Sequence, residues 1–210
     1  MLHRILSQTS CAPFWPTGLQ HWDEQLLKWI NHHGSSFADD FWFLVSEKWI
    51  WIPLYALLAY AIFRHFGIRK LLWSLLFIGL TITATDQISS GLFKPLTQRK
   101  RPCHNECLNF KVYRIKNKCG GTYGFFSSHS SNSMALAVFV GLLFWQRWRW
   151  LLPAMVGWSL LQCYSRIYLG KHYPTDVLAG ILCGMLAGAL FYELFRRLEE
   201  KKPGIFSRKS

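Results

Sequence analysis

Eight residues at three sites along the chain have the types and the spacing that phosphate chemistry requires. They are Lys94 and Arg101, then Ser127, Ser128 and His129, and finally Arg166, His172 and Asp176. A phosphate group needs charge compensation and several donors, which arginine supplies as a planar fork and lysine as a compact point charge. The three cations and the two serine hydroxyls are therefore predicted to bind a phosphate group.

The two histidines of this set have complementary roles in our interpretation. Asp176 follows His172 and would fix the tautomer of its imidazole and stabilise its charged form, which leaves the other ring nitrogen free to attack phosphorus. His129 comes from another segment and would protonate the leaving oxygen. No cluster of Asp and Glu for divalent ions accompanies these residues, so the sequence favours a reaction without a metal or other cofactor.

Composition and charge favour a membrane protein over a nucleic-acid-binding protein. Of the 210 residues, 51% are hydrophobic, and 24 Lys and Arg against 11 Asp and Glu give a formal charge of +13. Such an excess suits nucleic acid, anionic lipid or an anionic substrate. Because the chain has no helix-turn-helix, zinc-finger or RNA-binding signature, we expect membrane lipids and an anionic substrate as partners, and no nucleic acid.

Five apolar segments approach the ~20 residues that the hydrocarbon core of a bilayer requires. They cover residues 49–66, 71–93, 130–145, 150–168 and 175–195. The predicted fold class is therefore all-α, a polytopic membrane helical bundle with five transmembrane helices. Six is the alternative count, in which the short apolar segment 37–45 re-enters the membrane or extends the first span. We predict one membrane domain over residues 1–198 and a short basic cytoplasmic tail over 199–210.

Residues 20–30 have the pattern of an amphipathic helix that lies in the membrane interface, upstream of the first span. Its apolar residues Trp22, Leu26, Trp29 and Ile30 recur at helical spacing, and the charged residues Asp23, Glu24 and Lys28 are predicted to lie opposite.

The distribution of basic residues predicts which side of the membrane the candidate residues face. Short loops rich in Lys and Arg mark the cytoplasmic side. With five spans, that side carries Arg64, Arg69, Lys70, Arg147, Arg149, Arg196, Arg197, Lys201 and Lys202. All eight candidate residues then share the outer side. A loop on this side also contains Cys103, Cys107 and Cys119, where an oxidising compartment would let one pair form a disulfide and leave the third over.

The spacing of the candidate residues resembles the signature of the type-2 phosphatidic acid phosphatase family. Its superfamily also holds bacterial acid phosphatases and vanadium haloperoxidases. The pattern K-x6-R-P matches at Lys94–Pro102, and S-R-x5-H-x3-D matches at Ser165–Asp176. The third pattern, P-S-G-H, has Phe126 and Ser128 in place of Pro and Gly. The resemblance covers residues 71–195.

The resemblance implies a helical bundle that hydrolyses phosphate esters without a metal. In this arrangement His172 would form a phosphohistidine and His129 would be the general acid. The phosphate would be held by Lys94, Arg101, Ser127 and Arg166.

The expected function is that of a membrane lipid-phosphate phosphatase. A compact chain with a strongly basic outer loop suits a small headgroup of high charge. We therefore expect undecaprenyl pyrophosphate to be hydrolysed to the monophosphate at the outer, periplasmic face of a bacterial inner membrane. Phosphatidylglycerol phosphate, phosphatidic acid and the 1-phosphate of lipid A are alternative substrates. A phosphotransferase that passes phosphate to a lipid hydroxyl is an alternative reaction, whereas a non-catalytic lipid-binding protein would not need an oriented nucleophile.

Overall fold

The computed structural model describes residues 12–31 and 34–206, and most of these residues are helical. The helices are α1 (Thr17–Ile30), α2 (Ser36–Ser46), α3 (Ile52–Asp86), α4 (Lys94–Thr97), α5 (Ser128–Leu143), α6 (Leu151–Tyr168), α7 (Pro174–Lys201) and α8 (Pro203–Phe206). A π-helix, Gln87–Phe93, joins α3 to α4, and 3-10 turns cover Lys48–Trp51, Pro102–His104 and Ile115–Asn117. The described residues contain no β-strand, only an isolated bridge between Lys100 and Tyr123. The predicted all-α class is confirmed, and residues 207–210 of the predicted tail lie outside the described part.

Helix α3 is two helices that meet at Gly67. This residue has φ of 82° and ψ of 171°, whereas its neighbours on both sides are helical. A positive φ costs glycine nothing because it has no Cβ, so the chain turns at this position. The break falls between the predicted first and second spans, at 49–66 and 71–93.

Within residues 12–31 and 34–206, two helical stretches are long and apolar enough to cross a membrane, judged by length and composition. They are Lys48–Thr97, which includes the break at Gly67, and Pro174–Lys201. Both expose large apolar side chains, such as Leu57, Leu186 and Leu190, as a surface in contact with lipid would. Helix α2 has 11 residues, which is ~16 Å of helix against a hydrocarbon core of ~30 Å. The number of helices that cross the membrane stays a prediction.

Helix α5 lies at the centre of the bundle and packs against α7, α6 and α3. Three glycines at four-residue spacing on α7 allow the closest of these contacts. A Cβ atom at Gly180 would lie 2.6 Å from the carbonyl oxygen of Ser127, and one at Gly188 would lie 2.6 Å from that of Ala135. Because the two backbones touch, the beginning of α7 lies beside the beginning of α5. The amide of Ser127 donates to the carbonyl oxygen of Asp176 at 3.0 Å.

Helix α1 differs from the predicted amphipathic helix in one respect. Trp22 and Trp29 are exposed, as an interfacial helix requires, and Leu27 and Ile30 are buried. Asp23, however, is 0% exposed and faces the bundle, so its predicted place on the solvent side is wrong. The physical reason is an ion pair with Arg99, which offsets the cost of burying the carboxylate.

The two ends of the bundle separate the predicted cytoplasmic cations from the candidate residues. Lys70 pairs with Glu199 at 2.6 Å, Arg69 donates to the carbonyl oxygen of Gly204 at 3.3 Å, and Arg147 donates to Nδ1 of His65 at 3.1 Å. The ring of His65 contacts Phe144, just beyond the carboxyl end of α5. The candidate residues lie around the amino end of α5, at the opposite end of the bundle.

The loop that precedes α5 is cross-linked by a disulfide between Cys103 and Cys119, whose Cα atoms are 6.1 Å apart. Such a separation suits a disulfide. Cys107 is disulfide-bonded as well, so the prediction that the third cysteine is left over is wrong.

Candidate active site

His172 lies in the loop between α6 and α7, with one ring nitrogen near a carboxylate and the other near a guanidinium. Its Nδ1 atom is 3.5 Å from Oδ2 of Asp176, and its Nε2 atom is 3.0 Å from a terminal nitrogen of Arg101. Arginine can only donate, so Nε2 is the acceptor and carries the lone pair. The proton of the neutral ring is therefore on Nδ1, which faces Asp176.

The surroundings of His172 keep its imidazole neutral. The residue is 2% exposed. Burial first, and then the charges of Arg101, Arg166 and Lys94, hold the pKa of His172 well below its ordinary value. A neutral imidazole retains the lone pair that a nucleophile uses, so the geometry and the electrostatics both leave Nε2 available for attack.

Asp176 is held by contacts to both of its carboxylate oxygens. Oδ2 accepts a hydrogen bond from the amide of Tyr173 at 3.1 Å, in the first turn of α7. Oδ1 accepts from Arg99 at 2.5 Å. A carboxylate near a helix amino terminus is also favoured by the helix dipole. The side chain is 0% exposed, so Asp176 presents a fixed charge to Nδ1 of His172.

Lys94 reaches the amino end of α5 through a group of serines. Its ammonium donates to Oγ of Ser128 at 2.7 Å and to Oγ of Ser90 at 3.0 Å. Oγ of Ser128 also lies 2.9 Å from Oγ of Ser89. Ser89 and Ser90 belong to the π-helix, an irregular element that is frequent at functional sites. Two of the predicted phosphate ligands, Lys94 and Ser128, are thus in direct contact.

Arg101 is fixed by the backbone on both sides of it. Its amide donates to the carbonyl oxygen of Thr122 at 2.9 Å. Its guanidinium donates to the carbonyl oxygens of Tyr123, at 3.2 Å, and Lys171, at 3.3 Å. These contacts hold one terminal nitrogen of the guanidinium beside His172.

Ser127 and His129 occupy the first turn of α5. The hydroxyl of Ser127 accepts from the amide of Ser130 at 3.3 Å and so caps the helix. Nε2 of His129 lies 2.9 Å from Oε1 of Gln162 on α6, to which it donates. A cavity of about 360 Å³ extends from His129 between α3, α5 and α6. Its walls are mostly apolar, and they include Leu58, Ile62, Ile78, Leu136 and Trp158.

Arg166 stands apart from the other predicted phosphate ligands in its contacts. Its terminal nitrogen donates to the hydroxyl of Ser46, and its Nε atom is buried without a partner among the described residues. Its charge acts on His172. The unpartnered Nε leaves a donor available at the site.

A possible metal site in the neighbouring loop does not fit a metal. Ligand atoms of Cys103, His104 and Cys119 lie within 4.8 Å of one another. The two cysteines form a disulfide, however, which removes the thiolates that a metal would require.

Three residues of the site were not found from the sequence. Gln162 precedes Arg166 by four residues, so the two share one face of α6, and a polar residue in an apolar segment was a usable signal. Arg99 lies inside the motif that ends at Arg101, where nothing separates it from the other basic residues of that stretch. Asp23 had no signal, because its partner is 76 residues away in the chain.

Comparisons with known proteins identify a family model and similar sequences. A family model described as the PAP2 superfamily matches residues 70–200. The chain is 39% identical over 177 residues to a lipid A 4'-phosphatase of Bacteroides thetaiotaomicron, a match that covers 84% of this chain and 78% of that protein. It is 36% identical over 176 residues to an undecaprenyl-diphosphatase of Bacillus subtilis, covering 78% of this chain and 77% of that protein.

The fold also matches a solved structure. The crystal structure of a transmembrane PAP2-type phosphatidylglycerolphosphate phosphatase from Bacillus subtilis aligns with a TM-score of 0.66 and 19% identity. The alignment covers 98% of this chain and 96% of that one, which supports the helical arrangement of the described residues.

Proposed function

The chain belongs to the PAP2 superfamily and is an integral membrane phosphatase of the lipid-phosphate type, and from this premise we propose that it acts through a phosphohistidine at His172. The observation that carries the proposal is the pair of contacts at the His172 ring. Nδ1 faces the carboxylate of Asp176 at 3.5 Å, and Nε2 faces Arg101 at 3.0 Å. The ring nitrogen that would attack phosphorus therefore lies beside Arg101, a residue that we propose binds the phosphate.

In the first step, Nε2 of His172 attacks phosphorus and forms a P–N bond while the P–O bond to the leaving group breaks. His129 gives its proton to the departing oxygen. Asp176 stabilises the positive charge that the His172 ring gains. Lys94, Arg101 and Arg166 stabilise the charge on the equatorial oxygens of the transferring phosphoryl group, with the hydroxyls of Ser127 and Ser128 as further donors.

In the second step, a water molecule attacks the phosphohistidine and the P–N bond breaks. His129 now accepts a proton from the water, and inorganic phosphate leaves. Water is the one co-substrate that the two steps consume. A lipid hydroxyl in place of water would give the phosphotransferase alternative, with a phosphorylated lipid as product.

The substrate we propose is a lipid phosphate monoester, namely the 4'-phosphate of lipid A. The similarity to a lipid A 4'-phosphatase, at 39% identity over 84% of the chain, supports this choice. The apolar cavity beside His129 suits a hydrocarbon chain next to the phosphate. Undecaprenyl pyrophosphate, expected from the sequence, is the second candidate, which the similarity to an undecaprenyl-diphosphatase favours.

The test is phosphate release by purified protein in detergent, with EDTA present, from lipid A and from undecaprenyl pyrophosphate. We expect release to require His172, so His172→Ala abolishes it. The matched control is His65→Ala, which makes the same change at the other end of the bundle. Mass spectrometry of the lipid A product then distinguishes loss of the 4'-phosphate from loss of the 1-phosphate. Normal turnover by the His172 variant would overturn the phosphohistidine.

The two candidate substrates differ in their need for an acid, which gives an independent test. A sugar alkoxide leaves poorly unless it is protonated, whereas a phosphate leaving group needs no proton. His129→Gln should therefore lower kcat/KM, which reports formation of the phosphohistidine, by ~10²–10⁴ for the monoester and by less for the diphosphate. An equal loss on both substrates would exclude His129 as the acid.

We also propose that the site faces the periplasm across a bacterial inner membrane. The disulfide between Cys103 and Cys119 in the loop beside the site suits an oxidising compartment. Labelling intact cells with a membrane-impermeant maleimide tests the orientation. Lys111→Cys, in the same loop, should react, and Gly204→Cys, at the other end, should not; the reverse pattern would place the site in the cytoplasm.

A further inference from the structure

Arg99 joins two buried carboxylates that come from helices far apart in the chain. One terminal nitrogen lies 2.5 Å from Oδ2 of Asp23 on α1, and the other lies 2.5 Å from Oδ1 of Asp176 on α7. The side chain of Arg99 is 3% exposed, and both carboxylates are 0% exposed. Each terminal nitrogen of Arg99 therefore has a carboxylate partner.

Asp23 has further contacts that fix it to the amino end of α7. Its Oδ1 accepts from the amide of Thr175 at 2.9 Å, and its Oδ2 accepts from the hydroxyl of Thr175 at 2.7 Å. Aromatic rings cover the Arg99 guanidinium, with Tyr173 at 4.2 Å and Phe14 at 4.8 Å. Because the side chains of this cluster are buried, their charges interact strongly.

The two oxygens of the Asp176 carboxylate face different residues. Oδ1 is taken by Arg99, and Oδ2 lies 3.5 Å from Nδ1 of His172. Without Asp23, the positive charge of Arg99 would act on Asp176 alone. The negative potential that Asp176 exerts on the imidazole of His172 would then be smaller. Asp23 shares the charge of Arg99 and so leaves Asp176 more negative.

We propose that Asp23 is a positioning residue for the reaction: acting through Arg99, it orients Asp176 and preserves the negative charge that supports His172 during attack. Helix α1 is then part of the catalytic apparatus in addition to being a surface element. This inference rests on the proposed phosphohistidine at His172. It assigns a function to Asp23, which lies outside the matched motifs, and to Arg99, which occupies a variable position of the first motif.

The variant that tests this is Asp23→Asn, which removes the charge and keeps the shape. Its matched control is Asp40→Asn, the same chemical change at a side chain that is 69% exposed and pairs with Lys116. We expect kcat for phosphate release from lipid A to fall about 10- to 100-fold, as it does when groups that orient a metal ligand from behind are replaced. KM should stay near the wild-type value because Asp23 does not touch the phosphate.

The pH profile of kcat/KM supplies a readout that a purely structural role would not move. The charged groups that act on His172 are Arg101, Arg166, Lys94 and Asp176. In Asp23→Asn, Arg99 compensates Asp176 alone, so the negative potential at His172 decreases and its pKa falls further. The acid limb of kcat/KM should therefore move to lower pH, whereas partial unfolding would lower the amplitude of the profile without moving its midpoint.

Arg99→Lys gives a second variant that keeps the charge but cannot span both carboxylates. It should also lower kcat with little change in KM. The inference is overturned if either variant, measured per folded molecule, keeps the wild-type kcat, or if the acid limb of Asp23→Asn does not move. Turnover that survives in His172→Ala would overturn the proposed function itself. Loss of turnover in that variant, with normal Asp23→Asn, would overturn only this inference.

Discussion

The two ends of the bundle hold their positive charges in opposite ways. At the end away from the site, Lys70 pairs with Glu199 at 2.6 Å, and Arg197 pairs with Glu193 at 2.7 Å. At the site, Lys94, Arg101 and Arg166 contact hydroxyls, carbonyl oxygens and an imidazole. None of these three cations has a carboxylate ion-pair partner in residues 12–31 and 34–206.

The difference supports the proposal that the cations at the site serve the reaction. Partly exposed ion pairs contribute little to stability and suit a solvated surface. A buried cation without a counter-charge costs stability, so it indicates that an anion completes the site. Arg99 is the informative exception, since it lies at the site end but is paired with two carboxylates. We therefore assign Arg99 to the structural framework, and we propose that Arg101, two residues further on, binds the phosphate.

The largest expected effect breaks the paired arginine. Arg99→Met leaves two buried carboxylates without their counter-charge, which should lower the free energy of unfolding by ~3–5 kcal/mol. Thermal and denaturant unfolding in detergent, followed by tryptophan fluorescence, measures it. Adding Asp23→Asn to this variant removes one of the orphaned charges and should restore part of the loss. Wild-type stability in the single variant would show that the ion pairs are not a structural element.

The second prediction concerns Arg101, whose replacement should lower activity without lowering stability. Arg101→Gln should reduce kcat/KM for phosphate release by ~10²–10³, because it removes donors to the developing charge. Stability should stay the same or increase, since the substitution relieves an uncompensated cation. Arg147→Gln, at the other end, is the control and should leave kcat/KM unchanged. A variant of Arg101 that is active but unstable would reverse the assignment.

The reactive residues could be proposed from the sequence because fixed spacing encodes them. His172 and Asp176 lie four residues apart across the beginning of α7, so a local pattern is enough to bring them together. The helical class was equally accessible, since apolar segments of the right length occur at each predicted span. The break at Gly67 lies between two predicted apolar segments, where a short polar gap was visible in the sequence.

The support of the site could not be predicted because it depends on distant pairs. Asp23 looks like an ordinary charged residue of an amphipathic helix, and only the tertiary contact with Arg99 reveals its buried position. The close packing of α5 and α7 had a signal that was available, the four-residue spacing of Gly180, Gly184 and Gly188. Small residues at this spacing let helix backbones approach.

The third prediction concerns this packing and tests how much the contact between α5 and α7 contributes to stability, apart from the charged residues at the two ends. Gly184→Ala places a methyl group against the backbone of α5, and overpacking of this kind costs ~1–3 kcal/mol. Gly157→Ala on α6 is the matched control, because no atom lies within 4 Å of its Cβ position. We expect the first variant to unfold at a lower temperature and the second to be unchanged or more stable. Equal stability would mean that the contact between the backbones is not tight.

The smallest expected effect measures the contrast between the two ends directly. A double-mutant cycle on Lys70→Met and Glu199→Gln should give a coupling energy of ~0.2–1 kcal/mol, because these side chains are 16% and 32% exposed and water screens them. The same cycle on Arg99→Met and Asp23→Asn should give a coupling several times larger, since that pair is dry. Both couplings come from the same unfolding assay. If the two coupling energies are equal, burial does not strengthen the ion pair between Arg99 and Asp23. The assignment of Arg99 to the structural framework would then be wrong.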